Sequence, residues 1–97
     1  MIDQKTLKTI KAILFRYLDP REDKVFIFGS WAMGDARKWS DIDIGIESKR
    51  KIAGITILNI EEAFEESDMP YVVEVVNFVH VSEKFRLVAK QRVIYLN

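Results

Sequence analysis

The chain contains no cysteine, which excludes disulfides, thiolate zinc sites and cysteine nucleophiles, and fits a cytoplasmic location. It contains one histidine, His80. That residue stands beside Val81 and ahead of a helix, where a surface or packing role outweighs catalysis. A serine–histidine nucleophile therefore has poor support. Neither charge is in excess: 15 Lys and Arg face 15 Asp and Glu. General affinity for nucleic acid usually needs a basic surplus, so direct nucleic-acid binding is not expected. No apolar run approaches the ~20 residues of a membrane helix. The polar start Met1-Ile2-Asp3-Gln4 does not resemble a signal peptide, so no membrane association is expected.

Hydrophobic residues make up 48% of the 97-residue chain. That is enough for a compact fold without staples, and the length suits one domain over 1–97, with no room for a second core. Asp3 is a candidate N-cap for a first helix, with Leu7, Ile10, Ile13, Leu14, Tyr17 and Leu18 at helical spacing and Asp19-Pro20 as its stop. Val25 to Phe28 reads as a buried strand ended by Gly29. Trp31 to Gly34 reads as a short helical turn, and Asp35 to Ser40 as a polar, basic loop. Asp41 to Glu47 alternates polar and apolar as a second strand, followed by Lys49-Arg50-Lys51, a solvated turn. A second helix covers about Ile55 to Glu66, with Leu58, Ala63 and Phe64 inward, although Gly54 and Ile55-Thr56-Ile57 disfavour helix. Pro70 opens a third strand, Tyr71 to Phe78. Ser82 caps a last helix to about Gln91, and Val93 to Tyr95 forms a short final strand. The expected class is α+β, a small mixed sheet flanked by helices.

The stretch that carries chemistry is Phe28-Gly29-Ser30 followed by Ser40-Asp41-Ile42-Asp43-Ile44. Residues i and i+2 of a strand share a face, ~6.5 Å apart. Asp41 and Asp43 thus converge on one side, while Ile42 and Ile44 point into a core. Adjacent carboxylates raise each other's pKa, an arrangement that suits a cation held between them. Hard divalent ions bound by oxygen, Mg²⁺ above all, fit the pair. The Gly-Ser turn offers backbone N–H groups and a hydroxyl to phosphate. Phosphate and Mg²⁺ together point to nucleotide chemistry. In Tyr71-Val72-Val73-Glu74-Val75-Val76-Asn77, Glu74 is the one charge in an apolar run. It is read as facing the site shared with Asp41 and Asp43, the alternative being a sheet edge that meets solvent.

Gly29-Ser30, ten intervening residues, Asp41-Ile42-Asp43 and a later carboxylate strand at Glu74 resemble the nucleotidyltransferase superfamily related to DNA polymerase beta. Within it the chain is similar to the minimal nucleotidyltransferases, which act in prokaryotes beside a helical HEPN protein. The resemblance covers nearly the whole chain, including Phe64 to Tyr71 before the third strand. It implies the polymerase beta-like fold, with Asp41 and Asp43 as Mg²⁺ ligands and ATP as substrate. Gly29 and Ser30 would hold the β and γ phosphates, with Arg37 supplying further charge. Glu74 would take the third carboxylate's place at a second Mg²⁺ ion, two metals ~3.5–4 Å apart being the usual arrangement for such chemistry. The third carboxylate of the family is usually Asp, one methylene shorter than Glu74. An acid common three residues further on is here Asn77, and arginines common after the Gly-Ser are here Trp31 and Met33. Trp31 is read either as a stacking surface for a base or as a wedge against the core, and Trp39 as an exposed aromatic hinting at a partner surface or lid.

The length leaves no acceptor-presenting domain, so a separate chain is expected to supply the acceptor. The resemblance implies AMP transfer to a tyrosine of a HEPN-domain toxin, with this chain as the antitoxin and homo- or hetero-oligomers compatible. Two other readings compete. One is a non-catalytic module of the same fold that blocks its partner by contact; the other is a transferase for a small molecule or an RNA end.

Overall fold

A computed structural model describes residues 2–97. Helix α1 (Gln4–Leu14) begins at Asp3, whose Oδ1 accepts the Thr6 N–H at 2.7 Å. This satisfies one of the backbone donors left open at a helix start. Ile10, Ile13 and Leu14 are its buried stripe. The helix stops at Leu14, four residues short of the periodicity read from the sequence. The turn that follows changes the phase, so Tyr17 faces solvent while Leu18 still reaches the core.

Strands β1 (Asp23–Phe28), β2 (Ile42–Ser48), β3 (Val73–Asn77) and β4 (Ile94–Tyr95) form one mixed sheet in the order β3-β2-β1-β4. β1 runs antiparallel to both β2 and β4, and β2 runs parallel to β3. A parallel pair needs a long crossover, and α3 (Gly54–Glu66) supplies it. Alternation along the strands divides the side chains between two faces. On one face Val25, Ile27, Ile42, Ile44, Ile46, Val73 and Val75 join the buried residues of α1 and α3 in the main core. On α3 the buried positions are Ile60 and Phe64, with Ile57 and Ala63 packed beside them. Leu58, expected to point inward, lies off that stripe and is 60% exposed.

The second face is smaller and aromatic. Phe26 and Phe28 meet Phe78, which belongs to a 3₁₀ turn (Phe78–His80) rather than to β3. The Phe26 and Phe78 rings sit edge to face, 4.9 Å apart. Gly45 lies opposite Phe26 in the ladder. A Cβ there would stand 2.5 Å from Phe26 Cε2 and 2.7 Å from Phe78 Cε1, so this contact requires glycine. Helix α4 (Glu83–Ala89) covers the same side, capped by Ser82 Oγ on the Phe85 N–H at 3.1 Å. Phe85 packs against Phe28 and Phe78. Arg86 and Lys90 both pair with Glu47 of β2. Among the described residues no helix is long and apolar enough to cross a membrane.

One member of the basic run departs from the sequence reading. Lys49 and Lys51 are exposed, but Arg50 closes a bidentate pair on Asp23, Nε to Oδ1 at 2.9 Å and Nη2 to Oδ2 at 2.5 Å. Asp23 is the one buried charged residue of the described core.

Candidate active site

The site forms where β1 ends. Phe28, the last residue of β1, lies opposite Asp43 in the antiparallel register. The chain then turns through Gly29 at φ 76°, ψ −153°, a region essentially confined to glycine. A Cβ on Gly29 would overlap Asp43 Oδ2. Glycine is therefore required by the backbone angle, and any Cβ there would displace the Asp43 carboxylate. The Gly29 carbonyl accepts from the Ala32 and Met33 N–H groups, which folds the next residues into the short helix α2 (Ser30–Met33). Ser30 opens α2, and its hydroxyl has no hydrogen-bond partner among the described residues.

Trp31 acts as the wedge. Its ring packs on the core, and its Nε1–H donates to the Ser40 carbonyl at 2.9 Å. Ser40 Oγ in turn accepts the Arg37 N–H at 2.8 Å. These bonds hang the loop between α2 and β2 on the core and set Asp41 at the entrance of β2. Arg37 lies exposed on that loop.

Asp43 is also the register partner of Glu74 across the parallel β2–β3 pair. The structure thus brings Asp43, Glu74 and Gly29 together, with Asp41 two residues away on the same strand side. Asp43 is half-buried, and Asp41 and Glu74 are exposed. Burial pushes the Asp43 carboxyl above its ordinary value, and the charges of Glu74 and Asp41 push it further. Among the described residues none of the three carboxylates forms an ion pair; the acidic partners that do are Asp19, Asp23, Glu47 and Glu83. The arrangement is a patch of uncompensated negative charge at a strand end. Its oxygen-only donor set fits a hard divalent cation. Among the described residues, however, no three His, Cys, Asp or Glu side chains are gathered closely enough to hold a metal ion. The carboxylates feel one another's charge without forming a closed cage.

One neighbour was not singled out by sequence. Tyr71 stands between the tryptophans, its ring 5.7 Å from Trp31 and 5.7 Å from Trp39. Its only signal in the sequence was its place after Pro70, at the strand entry. Trp39 is 58% exposed, with Lys38 Nζ 5.3 Å from its ring centre. Asn77, where the resembling family often carries an acid, instead caps the 3₁₀ turn, its Oδ1 accepting the Val79 N–H at 3.2 Å. His80 lies exposed beyond it.

The sequence profile of the family described as "Polymerase beta, Nucleotidyltransferase" matches residues 8–97. A Haemophilus influenzae protein named "Probable protein adenylyltransferase MntA" is 34% identical over 90 residues, which span 93% of this chain and 77% of that protein. Among solved structures, a toxin–antitoxin crystal structure with AMP-PNP aligns with a TM-score of 0.77 at 19% identity, over 94% of this chain and 72% of that one. A second, from the complex of the tri-AMPylated Shewanella oneidensis HEPN toxin with MNT antitoxin, aligns with a TM-score of 0.64 at 16% identity, over 94% and 71%. At these identities the structures speak for the fold.

Proposed function

The chain belongs to the polymerase beta nucleotidyltransferase family, and from that membership we propose that it transfers AMP from ATP to a protein hydroxyl. The acceptor we propose is a tyrosine of a HEPN-domain toxin, with this chain as the cytoplasmic antitoxin. The observation that carries the reading is the pairing of Asp43 with Glu74 beside Gly29, a position where any Cβ would collide with the Asp43 carboxylate. Support comes from the adenylyltransferase named above and from the fold shared with antitoxin complexes.

In this reading Gly29 and Ser30 orient the triphosphate through backbone N–H groups and the free hydroxyl, and Arg37 adds charge from its loop. Asp41 and Asp43 would hold Mg²⁺ on the nucleotide side, and Asp43 with Glu74 a second ion on the acceptor side. Bound Mg²⁺ supplies charge neutralisation at the phosphates and acidifies a nearby hydroxyl. The acceptor oxygen attacks the α-phosphorus in line, the bond to the bridging oxygen breaks, and pyrophosphate leaves. Glu74, exposed beside Asp43, helps draw off the hydroxyl proton. Much of the rate then comes from holding the reactants in line.

The test incubates the chain with a HEPN partner, Mg²⁺ and α-labelled ATP. Label on a partner tyrosine is expected, and is expected to vanish with Glu74→Gln while ATP binding persists. Full neutralisation of the toxin without label would overturn the reading. It would favour the non-catalytic module, which the open spacing of the carboxylates and the longer Glu74 also suit.

A further inference from the structure

This neutral chain distributes its charge unevenly. Between Ile52 and Glu83 it has seven carboxylates and no lysine or arginine. That segment contains α3 and β3, and β3 is an edge strand. A groove of about 580 Å³ runs beside the edge, lined among others by Glu61, Phe64, Glu65, Met69, Tyr71 and Glu74. Its lining mixes apolar side chains with three carboxylates, and it ends at a carboxylate of the candidate active site. Val72, at the head of the strand, is 62% exposed.

An open strand edge presents unpaired backbone groups and is a template for another strand. Here one of those groups is covered by a side chain. Glu61 of α3 reaches across to accept the Val75 N–H at 3.1 Å. A carboxylate is a removable cover, because a cationic side chain competes for it with a charge-assisted bond.

We propose that the β3 edge and this groove dock an extended, basic segment of the acceptor protein, which adds to the sheet beside β3. An arginine or lysine of the segment draws Glu61 away. The uncovered Val75 N–H then donates to the incoming backbone, as in other strand-addition complexes. Successive side chains of an added strand alternate between faces, so the residue on the Glu74 side is presented to the carboxylate while its neighbours enter the groove. The proposal rests on the reading of the chain as a transferase to a protein hydroxyl. It adds which surface receives the acceptor and what charge the acceptor carries. Glu61 also explains how the edge avoids pairing with neutral strands: without a cation the cover stays in place.

The experiment titrates ¹⁵N-labelled chain with short synthetic peptides built of one tyrosine among alternating valines and arginines, and with versions carrying glutamine or glutamate in place of arginine. The arginine peptide is expected to shift the Val73, Val75 and Asn77 amides, and the glutamate peptide to leave them unmoved. Glu65→Arg, at an exposed position, is expected to weaken the arginine peptide about tenfold, the scale of one hydrogen bond to a charged group. Glu61→Gln keeps an acceptor for Val75 but loses the charge, and is expected to erase the preference for arginine over glutamine. Equal binding of the acidic peptide, shifts confined to other surfaces, or an undiminished preference in Glu61→Gln overturns the proposal. Mg²⁺–ATP added to the same sample reads Gly29, Ser30 and Asp43 separately. Nucleotide shifts without peptide docking sink the groove alone. Docking without nucleotide shifts sinks the transferase reading and upholds the groove as a docking surface.

Discussion

Asp23 and Asp43 sit at opposite ends of the same two-stranded ladder. Asp23 opens β1 opposite Ser48, and Asp43 lies opposite Phe28, where β1 ends. Asp23 is fully surrounded: Arg50 grips both oxygens, Ser48 Oγ donates at 2.6 Å, and the Asp19 N–H donates at 2.8 Å. Burial alone would raise its pKa, but the hydrogen bonds from Arg50, Ser48 and Asp19 outweigh it and hold the carboxyl below its usual value. Asp43 has no such partners, and burial and like charges hold its carboxyl high. One fold thus satisfies a carboxylate completely at one end and leaves another in deficit at the other. A satisfied buried charge is a structural element. An unsatisfied one, half-open and beside other acids, is where an outside cation and a phosphate chain would complete the electrostatics.

The sharpest way to break the comparison is to neutralise each carboxylate. Asp43→Asn removes a proposed Mg²⁺ ligand and relieves repulsion together. AMP transfer is expected to fall on the order of 10³-fold, a few kcal/mol of transition-state stabilisation, with no loss of thermal stability. Asp23→Ala is expected to do the reverse. Removing one partner of a buried pair costs up to about 5 kcal/mol, and with Arg50 half exposed we expect about 2–4. For a domain of this size that lowers the melting temperature by on the order of 10–20 °C. Transfer per folded molecule should be unchanged. Calorimetry beside the labelled-ATP assay separates the two, and an Asp43→Asn variant that melts early while still labelling would dissolve the distinction.

The two serines sharpen it on a smaller scale. Ser30→Ala is expected to weaken nucleotide binding by about 1–2 kcal/mol while leaving the melting temperature alone. Ser48→Ala is expected to lower stability by about 1 kcal/mol and leave nucleotide binding alone. A covalent nucleotide on Ser30, detected by mass spectrometry, would overturn its role as a binding group.

The candidate-site end of the ladder was the more legible of the two. Gly29-Ser30 and Asp41-Ile42-Asp43 are local patterns. Alternation along β2 put Ile42 and Ile44 in the core, and both are fully buried, as is Ile46 further along the strand. The structural end depends on contacts distant in sequence. Arg50 lies 27 residues from Asp23, and nothing in Lys49-Arg50-Lys51 distinguishes the residue that turns inward. Strand order was illegible for the same reason. The pairing of Asp43 with Glu74 requires β3 to lie beside β2, and a run of valines around one glutamate does not state its neighbour. Tyr17 was misplaced because α1 stops a turn early, and Leu58 because an apolar side chain was placed inward although it lies off the stripe through Ile60 and Phe64.

The smallest effects lie in pH, and there the two aspartates pull in opposite directions. Asp23 has a folded pKa below its ordinary 3.8. Its stabilisation is complete above 3.8 and is lost as pH falls through the lower folded value, because the unfolded chain takes up the proton first. The gap in stability between the parent and Asp23→Ala should therefore narrow on acidification below about pH 4. Asp43 has a folded pKa above 3.8. Over the window from 3.8 up to that value the folded state binds more protons than the unfolded one, so its contribution declines as pH rises. Asp43→Asn should gain on the parent across that window and keep the gain at neutral pH. Added Mg²⁺ should close this second gap and leave the first untouched, since only one of the carboxylates lacks a partner. Denaturant titrations of the three proteins between pH 3 and 7, with and without Mg²⁺, test both slopes. Parallel stability curves would mean that the two ends of the ladder carry equivalent charges after all.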